Sequence, residues 1–287
     1  MPANNSPPAL AVVGSTTIDT VVDGDHRRLK RGGVPTYAGL AARLLGLEVE
    51  IRTNVAEADA WILDTLSAKG IRVQRGPSPA TTRFTNYIDG DARQQEIPAA
   101  AAPLTAAQCA ATEAACVLLG PLHPDDIAAE AVESLAHSTA DVALDLQGYV
   151  RRVENGRVTP LVAPGIEVAL RAARLLKADA DELALVLAHC ACDLPHLLER
   201  YAIDELVLTR GSQGGTVHLR GADPVLYAAH PAQHQGDPTG AGDVFFAAYL
   251  HVRLFNGQSP ATASAQAAEV AARQIEGRFI PTEQLAL

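Results

Sequence analysis

The sequence predicts an α/β fold: a doubly wound, mostly parallel sheet with helices on both faces and a small β lid. Three observations carry that expectation. Short apolar runs alternate with helical periodicity along most of the 287 residues, and repeated βα units call for a parallel sheet covered on both faces. The stretch TTRFTNYIDGDARQQEI, 81–97, is β-prone yet poor in apolar residues, so it fits an exposed hairpin rather than a core strand. No internal repeat, low-complexity segment or linker splits the chain, which is expected to form one unit with a lid from about 17–33 and 81–97.

The elements follow in order. ALAVVG (9–14) is a buried strand ending in glycine, and the polar, partly alternating 17–33 gives strands away from the sheet centre. From Pro35 the run TYAGLAARLLGL has helical spacing and stops at Gly46; VEIRTNV (49–55) is a strand, and ADAWILDTLSAKG (58–70) is a helix ended by Gly70. Asp89-Gly90 is a turn dipeptide closing the 81–97 hairpin. CVLLGPL (116–122) and VALDLQG (142–148) are strands around the helix PDDIAAEAVESLA (124–136). RAARLLKA leads into the helix ADELALVLAH; DLPHLLERY is a helix, ELVLTRG a strand, and GGTVHLR with VLYAAHP a second hairpin. Two long helices, 240–256 and 260–275, close the chain.

Composition narrows the function. The net charge of −10 argues against broad nucleic-acid binding, which needs clustered Lys and Arg. The one basic cluster, HRRLKR (26–31), is short and reads as a solvated loop or strand. Cys109, Cys116, Cys190 and Cys192 form no CxxC pair, and the HCACD thiols lie two apart, off any shared helix face, so they read as ordinary thiols rather than metal ligands. Free thiols fit a reducing compartment and hence a cytoplasmic protein. No apolar run reaches the ~18 residues of a membrane span, and the opening MPANNSPPAL reads as a frayed leader without signal-peptide features.

DPTGAGD, 237–243, runs directly into VFFAAYLHVRLF. A helix N-terminus presents amides with no intrahelical partner and partial positive charge. Glycines there let an anion approach those amides closely, at a cost of up to ~1 kcal/mol each in helix propensity. The result is an anion hole suited to a phosphate and to charge moving in phosphoryl transfer. Asp243, in the first turn, can accept a substrate hydroxyl and take its proton. Asp237, across the turn, suits capping or an indirect metal or phosphate contact. The Walker pattern GxxxxGK[ST] is absent, and GSTTID stands where a dinucleotide GxGxxG would follow the first strand.

DPTGAGDVFFAAYL resembles the C-terminal DTxGAGD signature of the ribokinase-like (PfkB) sugar kinases. In the same order along 9–280, RGGVPTYAGLAARLLG (31–46) resembles the family's double-glycine signature, LKADADE (176–182) its KxNxxE segment, LTRGSQGG (208–215) its TxGxxG segment, and GSTTID (14–19) its first strand. The resemblance implies a kinase of a small sugar or polyol with Asp243 as base, and Gly240, Ala241 and Gly242 as the anion hole. Asp19 and Gly33 would meet substrate hydroxyls beneath the lid. Lys177, Thr209, Gly211, Gly214 and Asp237 would meet ATP, and Glu182 and Asp179 would hold Mg²⁺ through water. K⁺ is a further candidate ion, and a homodimer through the lid a candidate assembly. Asp179 replaces the family's usual Asn, and Thr36 and Tyr37 stand near the place of a sugar-binding Asn, which argues against ribose or fructose. DLQGYVRRV (145–153) resembles a DxQGxxR stretch of the inositol-kinase-like branch and makes Gln147 and Arg151 candidate substrate or phosphate contacts. Two alternatives stand beside a cyclitol kinase: a nucleoside kinase, with Phe84 and Tyr87 as a shelf for the base, and a non-catalytic sugar- or nucleotide-binding regulator on the same fold.

Overall fold

A computed structural model describes residues 8–89, 92–110, 112–234 and 236–287. Most of the expected leader (1–7) and Gly90 of the expected Asp89-Gly90 turn lie outside the described residues.

The chain opens with β1 (Leu10–Val13), β2 (Thr17–Asp23), β3 (His26–Gly32), α1 (Val34–Leu44) and β4 (Val49–Ala56). A 3-10 stretch, Glu57–Leu63, precedes α2 (Asp64–Ala68), then β5 (Arg72–Ser78), β6 (Arg83–Asp89), β7 (Ala92–Ala99) and α3 (Ala106–Ala110). The middle holds β8 (Cys116–Leu119), α4 (Ala129–Ala136), β9 (Asp141–Asp145), β10 (Arg151–Glu154), β11 (Arg157–Pro160) and α5 (Ile166–Ala172). The last third runs β12 (Leu175–Asp179), α6 (Ala180–Cys190), α7 (Leu194–Arg200), β13 (Glu205–Thr209), β14 (Gly215–Leu219), β15 (Val225–Tyr227), α8 (Ala241–Leu250) and α9 (Pro260–Ile275).

A nine-stranded sheet has the order β15-β14-β13-β12-β9-β8-β1-β4-β5, parallel except where β14 pairs with β13 and β15. Burial on both faces follows from the two-residue strand period. In β1, Leu10 and Val12 join a core with α1, α8 and α9, while Ala11 and Val13 join another with α4 to α7. A six-stranded sheet, order β10-β11-β7-β6-β2-β3, gathers the two segments expected to form the lid and adds the β10–β11 hairpin. Among the described residues no helix is long and apolar enough to cross a membrane.

The structure adds β5, β10, β11 and β12 to the predicted elements. RAARLLKA, expected to lead into a helix, divides between α5 and β12; a run buried on both faces has no period that separates strand from helix. The strand expected to reach Gly148 ends at Asp145, whose carboxylate accepts the Gln147 amide at 3.2 Å and turns the chain into a 3-10 turn over Leu146–Val150. The HRRLKR cluster is solvated only over its first four residues, 26–29. Lys30 and Arg31 are buried: Lys30 pairs with Asp237 at 2.7 Å, and Arg31 donates to the carbonyls of Ile62 (2.6 Å) and Gln284 (2.5 Å).

Candidate active site

α8 begins where the sequence places it, with Gly240 as N-cap in the left-handed region at φ 78°. Glycine is required there twice over, because a Cβ would also stand 2.2 Å from the Tyr37 ring. The Ala241 amide closes the turn onto the Pro238 carbonyl at 3.1 Å, and Val244 starts the helical ladder by donating to Gly240 at 2.9 Å. Among the described residues the amides of Gly240, Gly242 and Asp243 have no protein acceptor. Of the three amides expected to form an anion hole, that of Ala241 is engaged, while those of Gly240 and Gly242 stand open together with that of Asp243.

A cavity of about 200 Å³ lies in front of this helix tip, with Gly240, Gly242, Asp243 and Lys177 on one side. Asp243 is half-buried where it faces the cavity, and desolvation, with Asp145 adding to it, pushes its carboxyl up to about 7 against the pull of Lys177 and Arg151. The Lys177 ammonium donates to Asp145 at 2.7 Å. Burial alone would depress that ammonium, but Asp145, Glu182 and Asp243 together raise it, so it stays charged. Its Nζ lies 3.3 Å from where a Cβ on Gly242 would stand, and both residues line the cavity. Both Asp145 and Lys177 are buried, and removing one partner alone would cost about 3–5 kcal/mol.

The facing walls come from the six-stranded sheet and the turn after β9. Asp19 is buried on β2, not on the first strand, and accepts the Thr17 hydroxyl at 2.6 Å. Gly33, at φ 88°, leaves room where a Cβ would meet the Ser15 carbonyl at 2.0 Å. Phe84 and Asn86 point inward from alternate positions of β6. Gln95 on β7, the register partner of Asn86, donates to it at 2.8 Å. Arg151 ties the walls together, donating to Gln147 at 2.9 Å, to Gln95 at 3.3 Å and to the Leu122 carbonyl at 3.2 Å.

The structure thus brings Asp19, Gly33, Gln147, Arg151, Lys177, Gly240, Gly242 and Asp243 around one cavity. Thr209, Gly211 and Gly214 do not line it. Asp237 does not line it either; its carboxylate accepts the Thr239 amide at 3.0 Å and pairs with Lys30 and, at 3.5 Å, with Arg28. Burial works against that charge, but Lys30 and Thr239 hold the carboxyl down at about 2. Asp237 thereby joins β3 to the helix turn, a role its place in the motif did not reveal. Asp179 and Glu182 form the capping box of α6, each carboxylate accepting the other's amide at 2.8 Å. Burial raises the Glu182 carboxyl, opposed by Lys177. No cluster of three or more His, Cys, Asp or Glu able to hold a metal occurs among the described residues.

Sequence reasoning quoted Asp145 as the first residue of the DxQGxxR stretch but gave it no role, and it did not single out Asn86 or Gln95. Asp145 carried a signal in its place at the end of a strand in an open parallel sheet. Asn86 and Gln95 carried one in the polar positions on the inward period of a hairpin otherwise taken as exposed.

Residues 10–278 match the pfkB family carbohydrate kinase domain. No curated protein matches the chain. Among solved structures it is similar to a pyrophosphate-dependent kinase in the ribokinase family complexed with a pyrophosphate analog and myo-inositol, at 23% identity over 93% of this chain and 94% of that one, TM-score 0.80. A Burkholderia thailandensis nucleoside kinase in complex with inosine aligns at 20% identity over 96% of each chain, TM-score 0.77. Ribokinase from Thermotoga maritima aligns at 18% identity over 97% and 96%, TM-score 0.72. At these identities the likeness concerns the fold.

Proposed function

The chain belongs to the pfkB family of carbohydrate kinases, and we propose that it phosphorylates a hydroxyl of a small cyclitol or sugar, with Asp243 as base and the α8 tip as anion hole. The observation that carries this reading is the joint placement of Asp243, the open amides of Gly242 and Asp243, and buried Lys177 on one small cavity. A hydroxyl hydrogen-bonded to Asp243 loses its proton to that carboxylate as its oxygen bonds to the transferring phosphorus, while the donor's bridging P–O bond breaks and its electron pair leaves with ADP or phosphate. The amides and Lys177 stabilise the charge on the transferring group, and positioning does most of the work. The other walls, Asp19, Asn86, Gln95, Gln147 and Arg151, offer donors and acceptors for a ring of hydroxyls.

A cyclitol is favoured over a nucleoside by the cavity. It is small and mostly polar, and of the two shelf candidates only Phe84 lines it; Tyr87 is half-exposed, its hydroxyl turned to Glu96 at 3.1 Å. A pure binding regulator has no use for a carboxyl held at about 7 beside an anion hole. One oxygen of each of Asp179 and Glu182 is taken by the α6 capping box; the second oxygen of each would hold Mg²⁺ through water, which when bound would neutralise donor phosphate charge. The exposed Leu29 and Tyr87 on the outer face of the six-stranded sheet support a homodimer through that sheet. The four unpaired cysteines support a cytoplasmic placement.

ATP is the donor the family suggests. A second reading, inorganic diphosphate, is favoured by one observation. The phosphate-binding groups line the cavity, whereas Thr209, Gly211 and Gly214 do not, and Tyr227 lies over Gly215 beside them, its hydroxyl on the Leu208 carbonyl at 3.1 Å and its ring stacked on Phe245 at 5.4 Å. The kinase above has a diphosphate analogue as ligand on the same fold. A panel of inositols, sugars and nucleosides, each offered ATP or diphosphate and read by product formation, tests both readings. We expect phosphorylation of a cyclitol; turnover confined to nucleosides would sink that assignment, and no turnover with any acceptor would sink the kinase reading itself.

The Asp243 carboxyl also sets a pH dependence. A base must be deprotonated, so kcat/KM should rise with pH up to about 7 and level off above it. A profile already flat from pH 5 would mean that another group sets the acid limb.

A further inference from the structure

Asp145 lies outside the cavity wall, yet it touches both sides of the site. It ends β9 with 1% exposure, and its register partner on the neighbouring strand is Lys177, so their side chains share a sheet face. One carboxylate oxygen accepts the Lys177 ammonium at 2.7 Å; the other accepts the Gln147 amide at 3.2 Å. Lys177 lines the cavity together with Gly242 and Asp243, whose amides are open, and its Nζ lies 3.3 Å from where a Cβ on Gly242 would stand. Gln147 sits in the turn over Leu146–Val150 that leads directly to Arg151, the first residue of β10, and both line the cavity.

We propose that Asp145 is a positioning residue for phosphoryl transfer: it fixes the Lys177 ammonium at the anion hole and, through the same carboxylate, sets the turn that bears Gln147 and leads to Arg151. This rests on the kinase reading above. A lysine is a point charge on a four-carbon stem, and its three donors rotate freely unless something holds them. An anchored ammonium meets the transferring group in place, while an unanchored one meets it in many orientations. A misplacement of about 1 Å is enough to lose roughly 100-fold in rate. Asp145 is itself negative, so it does not attract the donor. Its removal separates positioning from affinity, because the site gains net positive charge.

The test is a cycle of Asp145→Ala, Lys177→Met and the double variant, assayed with the acceptor found by the panel and with inorganic diphosphate binding followed by calorimetry. Asp145→Ala should lose about 100-fold in kcat while diphosphate binds as well as or better than to wild type. Lys177→Met should lose both rate and binding. The double variant should be no slower than Lys177→Met, because Asp145 acts through the lysine. If the alanine variant melts below assay temperature, Asp145→Asn, of the same shape, takes its place in the cycle. An active wild type with the Asp145 variant within threefold of it overturns this proposal alone, as do losses that multiply in the double variant. A wild type that phosphorylates no polyol overturns the kinase reading and this proposal with it.

Discussion

Asp243→Asn should lower kcat by about 10²- to 10⁴-fold while donor binding is retained. The amide keeps the size of the carboxyl but cannot take the hydroxyl proton. The open amides and Lys177, proposed above to hold the donor phosphates, are left in place. Product formation gives kcat and calorimetry gives donor affinity; a variant with near-normal turnover would show that another group receives the proton. The same substitution should change stability in a definite direction. Folding raises the Asp243 carboxyl from an ordinary value near 4 to about 7. Between these values the native state holds a proton that the unfolded chain has released, so stability falls as pH rises through this window. Above pH 7 the partly desolvated carboxylate is a standing cost, and the Asn variant should melt higher than wild type there, with the difference vanishing below pH 4. An equal melting temperature at pH 8 would mean that the carboxylate is well solvated.

Gly242→Val should lose about 10²- to 10³-fold in kcat, the scale of one lost anion-hole donor. A Cβ at this position already stands 3.3 Å from Cε and Nζ of Lys177. The valine methyls would push the ammonium away and cover the amides it faces. Gly242→Ala is the control. Gly242 is not among the residues with positive φ, so alanine fits the backbone and meets only the flexible end of a lysine. The alanine variant should keep most of its activity. Equal losses in both would point to backbone freedom rather than space, and no loss in either would remove the helix tip from the mechanism.

Much of this site was legible in the chain. DPTGAGD announced a helix N-terminus with too many glycines for a cap, and α8 begins at that place. The roles that were not legible depend on strand register. Lys177 sat in a run without helical or strand period, and only pairing of β12 with β9 sets it beside Asp145. Asp237 looked like part of the phosphate motif, but folding brings Lys30 of β3, 207 positions away, to its carboxylate. Asn86 and Gln95 looked solvated because a hairpin read alone has no indication of what covers one of its faces.

The sequence by itself determined the alternation of strands and helices, the glycine-rich opening of α8 and the acid in its first turn. These follow from local chemistry: side-chain period, backbone freedom and unpaired amides at a helix end. The tertiary structure alone decided which amides stay open, that Lys177 and Asp145 are neighbours, and that the inner face of the second sheet completes the cavity. Those features depend on burial and on partners far apart in the chain, and the free energy of a charge or an amide is set by what surrounds it after folding.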